Sequence, residues 1–185
     1  MKHFTPIILA LSLVVFAGCG NQGGNPDDIT EHVPGFNLYG KTIGNEDFNV
    51  ASLRGKYVLV KFTATWCLPC EMAIPSMLRL YEQYRDQGLA IVSVYVREQE
   101  DQDPVETVRN YVERKGLPWT ILSEALSTRA GLPPQWETFG IRGVPTFFLL
   151  DREGEVLTLP GEPADQPYTH VVGNIAPVLA RVLGE

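Results

Sequence analysis

The sequence contains few cysteines, few histidines and no excess of basic residues, and each shortage bears on the class of protein. Its 185 residues include three cysteines and three histidines, and the formal net charge is −7 at pH 7. Without a basic stripe to neutralise phosphates, we expect no nucleic-acid binding. The remaining composition, 44% hydrophobic and 20% charged, is ordinary for one globular domain plus an appendage.

Two of the three cysteines, Cys67 and Cys70, are two residues apart in the segment Trp-Cys-Leu-Pro-Cys at 66–70. Such a pair can be half of a zinc site, which normally takes two more Cys or His ligands. The chain offers as further ligands only residues that are not clustered along it: Cys19, His3, His32 and His170. The pair is therefore predicted to be redox-active, and we expect no metal and no cofactor.

The pair lies where an apolar run ends and a helical pattern begins. A helix N-terminus carries unsatisfied N–H groups and partial positive charge, so a thiol placed there ionises more readily than a free cysteine. Cys67 is the predicted attacking thiolate, and Cys70, one turn further along, would resolve the mixed disulfide. Pro69 suits a first-turn position, where a missing N–H costs nothing.

The first residues predict export. A positive start is followed by an apolar run at 7–16 and by Ala-Gly-Cys at 17–19, which is typical of a signal peptide. Residues 16–19 resemble the lipobox of bacterial lipoproteins, with Phe16 where Leu is usual, and this resemblance implies lipidation of Cys19. The alternative is an ordinary cleaved signal peptide. We predict a signal peptide at 1–18, a flexible polar and glycine-rich tether at 19–32 and one domain at 33–185.

Within the domain, apolar patterns alternate between strand and helix. Pro177 is expected to kink or shorten the last helix. The predicted elements are a strand at 56–63, a helix up to Gly88, a strand at 89–96, a helix at 104–115, a strand at 119–122, a hairpin of 146–150 with 155–159, and an amphipathic helix at 171–183.

This order, together with the Cys pair and Gly-Val-Pro-Thr at 143–146, resembles the thioredoxin fold, and more closely the TlpA/ResA-like thiol-disulfide oxidoreductases. Further similar stretches lie at 36–41, 53–56, 62–67 and 139–146. The resemblance implies an α/β thioredoxin-like fold, with a central mixed sheet flanked by helices, an N-terminal β extension and a helix/strand insertion. The extra length falls at 97–116 and 127–138. The second stretch leads towards Pro145 and contains Trp136, a core or lid residue or part of the partner surface.

The resemblance also implies a cis bond between Val144 and Pro145 against the Cys pair. Proline is the residue at which a cis bond is least costly. Such a bond would present the backbone of Val144 to an extended substrate strand, with Trp66 packed beside the active thiol. The alternative for Pro145 is an ordinary proline at the start of a strand.

Two positions depart from the family. Six residues before the first cysteine, where thioredoxin has a buried acid, stands Lys61, and three residues after the second, where many TlpA/ResA-like proteins have Glu, stands Ala73. Lys61 is either a solvated strand residue or a cation beneath the disulfide that stabilises a thiolate. Glu71 is either an exposed helix residue or a substitute proton carrier.

The first hypothesis for function is a lipid-anchored oxidoreductase of the cell envelope that faces the periplasm or another extracytoplasmic space. It would exchange the Cys67–Cys70 disulfide with cysteines of exported proteins. The resemblance implies reduction, as in apocytochrome c maturation or disulfide repair, and therefore a membrane thiol electron donor. A monomer is expected.

Two alternatives stay open. Peroxiredoxins share the fold, but they keep a Thr three residues before the reactive cysteine, where this chain has Ala64. A non-catalytic envelope module would use the pair to hold copper or to lock the fold. Copper carriers of related fold space their cysteines wider and add a late histidine, for which His170 is the candidate.

Overall fold

A computed structural model of the protein describes residues 32–33, 36–96, 104–159, 161–162 and 168–184. The predicted signal peptide, Cys19 and the tether up to residue 31 lie outside the described residues, so the predictions for them stay predictions. None of the helices in the described ranges has the length and apolarity needed to cross a bilayer.

Eight strands and five α-helices follow one another along the described chain. The strands are β1 (His32–Val33), β2 (Tyr39–Lys41), β3 (Asp47–Asn49), β4 (Tyr57–Thr63), β5 (Leu89–Tyr95), β6 (Thr120–Ser123), β7 (Thr146–Leu150) and β8 (Val156–Leu157). The helices are α1 (Leu68–Tyr84), α2 (Pro104–Lys115), α3 (Glu124–Arg129), α4 (Gln135–Thr138) and α5 (Ala176–Leu183).

Six strands form the central mixed sheet, in the order β1-β8-β7-β4-β5-β6, and β2 pairs with β3 in a separate hairpin. β4 is parallel to β5 and antiparallel to β7, and β5 is parallel to β6. β4 therefore lies inside the sheet with both faces covered, which is why its sequence is an almost unbroken apolar run. This arrangement confirms the predicted thioredoxin-like mixed sheet.

The two faces of the sheet carry two separate apolar clusters. Leu59 of β4 packs in the cluster that contains the buried residues of α1, α2 and α5. Val58, Val60 and Phe62 pack in the other, with Phe36, Leu38 and Ile141. Because side chains alternate across a strand, position 61 points to the same face as Leu59, beneath α1.

Several predicted elements differ in extent or content. The first helix, predicted up to Gly88, ends at Tyr84 and is followed by a 3-10 turn, Arg85–Gln87. The last helix begins at Ala176 rather than at 171, because a short 3-10 turn, Val172–Asn174, precedes it and Pro177 occupies its first turn. β8 begins at Val156, since the backbone of Glu155 is held in the turn by the carboxylate of Asp151. The insertion at 127–138 includes the second half of α3 and all of α4, which were not predicted.

Candidate active site

Cys67 and Cys70 are joined by a disulfide at the start of α1, with their Cα atoms 5.2 Å apart. Cys67 is the N-cap of this 17-residue helix, and its Sγ accepts a hydrogen bond of 3.2 Å from the backbone N–H of Cys70. Pro69 lies in the first turn, as predicted. When the pair is reduced, the helix N-terminus and this N–H both favour a thiolate on Cys67.

The two sulfur-bearing residues differ in depth. Cys67 is 5% exposed and Cys70 is 1% exposed, and both pack with Ala64 and Val144 in a small cluster of their own. Cys67 therefore lies nearer to a partner, while Cys70 lies behind it, which suits the predicted order of attack and resolution.

The peptide bond between Val144 and Pro145 is cis, which confirms the bond that the resemblance implies. It lies at the start of β7, and the carbonyl oxygen of Val144 is 3.5 Å from Cys67 Sγ. The structure thus brings Val144 and Pro145 against the Cys pair. Their role in binding substrate stays a prediction.

Two further side chains hold this loop, and sequence reasoning did not identify them in this role. Thr146 Oγ1 donates to the carbonyl of Gly143 at 2.7 Å, and His170 Nδ1 lies 2.6 Å from the carbonyl of Pro145. Since a carbonyl can only accept, Nδ1 is the donor in this hydrogen bond. The position of His170 follows from the backbone bridge between Phe147 and Thr169. No local sequence pattern predicts this long-range pairing.

An apolar slot of about 120 Å³ opens beside the disulfide. Trp66, which is 54% exposed, forms one wall, and Trp136, Ile141 and Val144 form others. Trp136 is placed there by α4, and its backbone N–H donates to the carboxylate of Glu124. The insertion therefore contributes directly to the surface around Cys67.

Lys61 is 2% exposed, so the expectation of a solvated strand residue is wrong. Its Nζ donates a 2.8 Å hydrogen bond to the carbonyl of Cys70. Burial lowers the pKa of Lys61 from 10.5 to about 8, because an ammonium group loses hydration there. The residue therefore occupies the position beneath the pair that the second hypothesis requires.

The structure also places Glu71, the candidate substitute proton carrier, and Ala73, the second departure from the family. Glu71 is half-exposed and forms an ion pair with Lys115 in the last turn of α2. Ala73 is buried in the core under α1 and brings no titratable group. Within the described part of the chain, no three His, Cys, Asp or Glu side chains come together in a way that could hold a metal ion.

The mixed sheet, the disulfide at the N-cap of α1 and the cis-proline loop against it define a thioredoxin-fold thiol-disulfide oxidoreductase. The comparisons agree with this class. The model of the AhpC/TSA family matches residues 29–158. The thioredoxin domain of a thiol-disulfide oxidoreductase from Bacteroides vulgatus shares the fold, with a TM-score of 0.59 and 21% identity over 80% of this chain and 93% of that one.

Two curated relatives carry the name thiol-disulfide oxidoreductase ResA. The one from Halalkalibacterium halodurans is 35% identical over 60% of this chain, and the alignment spans 57% of its own length. The one from Bacillus thuringiensis subsp. konkukian is 30% identical over 81% of this chain and 80% of the relative. The chain belongs to the AhpC/TSA family and, within it, to the ResA-like thiol-disulfide oxidoreductases.

Proposed function

We propose that this protein reduces disulfides of exported proteins outside the cytoplasm, with Cys67 as the attacking thiolate and Cys70 as the resolving thiol. The observation that carries the proposal is the position of the Cys67–Cys70 disulfide, at the N-cap of α1 and against the carbonyl of Val144. The kinship with ResA-named relatives supports it. By the same resemblance, apocytochrome c is the first substrate to consider.

The reaction consists of two exchange steps. The thiolate of Cys67 attacks one sulfur of a substrate disulfide, which forms a mixed disulfide and releases one substrate thiol. Cys70 then attacks Cys67 Sγ, which closes the Cys67–Cys70 disulfide and releases the second substrate thiol. Two electrons pass to the substrate, and a thiol donor at the membrane must return them for another turnover.

The surface around Cys67 suits an unfolded or extended polypeptide. Trp66 and two side chains near the start of α1, Leu68 and Met72, are large, apolar and exposed. The slot beside them offers room for one apolar side chain next to the reacting cysteine, and the backbone of Val144 lies at its edge. Trp66, Val144 and Pro145 are therefore the proposed substrate-binding residues.

The site of action is proposed to be the cell envelope. The signal-peptide pattern at 1–18 supports export, and the residues before Cys19 support lipidation of that cysteine. The polar, glycine-rich composition after Cys19 predicts a flexible tether, and about a dozen such residues would reach roughly 20 Å. The domain would therefore work close to the membrane surface, within reach of a membrane thiol donor.

Trapping of mixed disulfides tests the proposal. In Cys70→Ser the resolving thiol is lost, so exported proteins with cysteines should accumulate on Cys67 and be released by a reductant. Cys67→Ser is the matched control, because it keeps one thiol in the same site but lacks the attacking one. If Cys70→Ser traps no more protein than Cys67→Ser, the proposal fails.

The reduction potential tests the direction of exchange. A reductase should have a potential near that of thioredoxin, about −270 mV, whereas a strong oxidase lies near about −120 mV. A value at the second extreme would overturn the reductase role and leave the exchange chemistry intact.

The two alternatives receive no specific support. At position 64, where the peroxidase hypothesis needs a hydroxyl, the structure has the buried methyl group of Ala64. For the copper hypothesis, His170 Nδ1 is engaged with Pro145, and the described residues form no cluster of three ligands. The first alternative predicts peroxide consumption by Cys67, and the second predicts copper binding without disulfide exchange.

A further inference from the structure

Lys61 brings an amino group into the core directly against the first turn of α1. Its position on β4 points to the face that α1 covers, and Nζ is bonded to the carbonyl of Cys70, the more deeply buried of the two cysteines. A lysine at such depth is rare unless it is paired, because the charged form loses its hydration. Its partners therefore need to be identified.

The adjacent strands offer no anion. In β5, Ser93 lies opposite Lys61, and its Oγ accepts from the indole N–H of Trp119. In β7, Phe147 lies opposite Lys61 on the other side. These neighbours are neutral, so they do not compensate the charge of an ammonium group.

The titratable groups on the surrounding elements are in contact with other residues. On α1, Glu71 is ion-paired with Lys115 of α2. On β5, Tyr95 packs edge-on against Tyr111 of α2. Beyond β7, the imidazole of His170 is held by the carbonyl of Pro145.

No carboxylate among the described residues lies within ion-pair distance of Lys61 Nζ. This explains why burial alone sets the pKa of Lys61, at about 8. The anion that this site can acquire is a thiolate, since reduction of the disulfide creates two thiols at the start of α1. The charge partner of Lys61 thus depends on the redox state of the pair.

We propose that Lys61 is the proton acceptor and charge partner of Cys70: it takes the Cys70 proton when this thiol attacks the mixed disulfide. The inference rests on the proposed function and deepens it. A thiol as buried as Cys70 is a poor nucleophile in apolar surroundings, because burial disfavours its thiolate. The amine of Lys61, which is hydrogen-bonded to the backbone carbonyl of the same residue, removes this obstacle.

Protons and electrons balance in this step. Because the pKa of Lys61 is about 8, its amine form is in equilibrium with the ammonium near neutral pH. This amine form accepts the proton of the Cys70 thiol and becomes an ammonium. The Cys70 thiolate attacks Cys67 Sγ, the new sulfur–sulfur bond forms, and the bond between Cys67 and the substrate sulfur breaks. The substrate leaves as a thiolate with the electron pair of that bond. Lys61, again beside a neutral disulfide, returns to its protonation equilibrium with water, and the substrate thiolate takes a proton from water.

A thiol titration tests the proposal in the full chain. With Cys19→Ser and Cys67→Ser, Cys70 is the sole remaining thiol of three, and its thiolate can be followed by ultraviolet absorbance. Adding Lys61→Met should raise the pKa of Cys70 by about one unit, the lower end of what an opposite charge at close range produces. Lys56→Met is the matched control, since Lys56 precedes the same strand and is exposed. A pKa of Cys70 that Lys61→Met leaves unchanged would overturn the proposal.

A second measurement needs no substitution at Lys61. The lysine amines of the unaltered chain can be titrated by NMR in the oxidised and the reduced protein. Coupling between two sites is reciprocal, so a Cys70 thiolate that Lys61 stabilises should in turn raise the pKa of Lys61 in the reduced state. A Lys61 pKa that is equal in both redox states would also overturn the proposal.

Failure of this inference can be distinguished from failure of the proposed function. If Cys70→Ser traps no substrates, the exchange function itself is wrong. If trapping is normal and Lys61→Met leaves the pKa of Cys70 unchanged, only the proposed role of Lys61 is wrong.

Discussion

At the scale of single residues, we expect the sign of the buried charge at Lys61 to influence the redox chemistry of the pair. A cation at Lys61 stabilises a thiolate and hence the reduced state. Stabilising the reduced state makes the pair less strongly reducing. Lys61→Met is therefore expected to make the reduction potential more negative, which ties the direction of exchange to this one side chain.

The free energy of unfolding of the oxidised protein should depend on pH through the titration of Lys61. Its pKa is about 8 in the folded state and 10.5 ordinarily, so between these pH values the unfolded chain binds more protons and stability rises with pH. Below pH 8 the full penalty applies, about 3 kcal/mol at 1.36 kcal/mol per pKa unit. Lys61→Met should therefore stabilise the oxidised protein by up to about 3 kcal/mol at pH 7.

This gain should shrink as the pH rises towards 10.5 and disappear above it, where Lys61 is neutral in both states. Urea unfolding of the oxidised protein at pH 7 and pH 10 measures it, and Lys56→Met serves as the control because its side chain is exposed. A difference between Lys61→Met and the original chain that stays constant over this range would contradict the pKa assigned to Lys61.

At the scale of elements, the local sequence pattern was enough to predict elements that are formed by contiguous residues. The apolar run of β4, the proline in the first turn of α1 and the glycine after its end predict a strand followed by a helix with the Cys pair between them. The depth of Lys61 was not predictable in the same way. A single lysine in an apolar run suits either a solvated edge or a buried site, and only the packing of α1 over β4 decides between them.

The segments that meet across the site were the least predictable. His170 reaches the loop of Pro145 through the pairing of Thr169 with Phe147, and Trp136 reaches the slot through α4. Both depend on long-range contacts of short, irregular segments, which carry no periodic signal. The family resemblance supplied the cis bond at Pro145, which neither composition nor spacing specifies.

Thr146 links the loop of Val144 to the start of β7, and its hydrogen bond should contribute measurably to stability. Thr146→Val removes the hydroxyl that donates to the carbonyl of Gly143 at nearly constant volume. We expect a loss of about 1 kcal/mol, the typical net value of such a bond, measured by urea unfolding. Thr138→Val, which removes an exposed hydroxyl in α4, should have a smaller effect. Equal losses in both variants would show that Thr146 has no special role in this loop.

At the scale of the whole molecule, the residues of the candidate active site lie together at one end of the sheet. The N-terminus of α1, the loop before β7 and the short helix α4 meet there, with exposed apolar side chains around Cys67. The chain between residue 19 and the start of the domain would hold the domain near a membrane only if Cys19 carries lipid. Under this proposal, anchoring and exchange chemistry depend on different cysteines and can be separated by mutation.

Cys19→Ser should release the protein from the membrane without changing its exchange chemistry. Stable anchoring needs more than one acyl chain, and a serine at this position cannot be acylated as the lipobox requires. In fractionated cells, the original chain should sediment with membranes and dissolve in detergent, while Cys19→Ser should appear in the soluble envelope fraction. Cys70→Ser is the matched control, since it loses a thiol and keeps the anchor. Membrane association that persists in Cys19→Ser would contradict the lipid anchor. Equal disulfide exchange by the soluble and the anchored forms would show that the domain acts independently of the anchor.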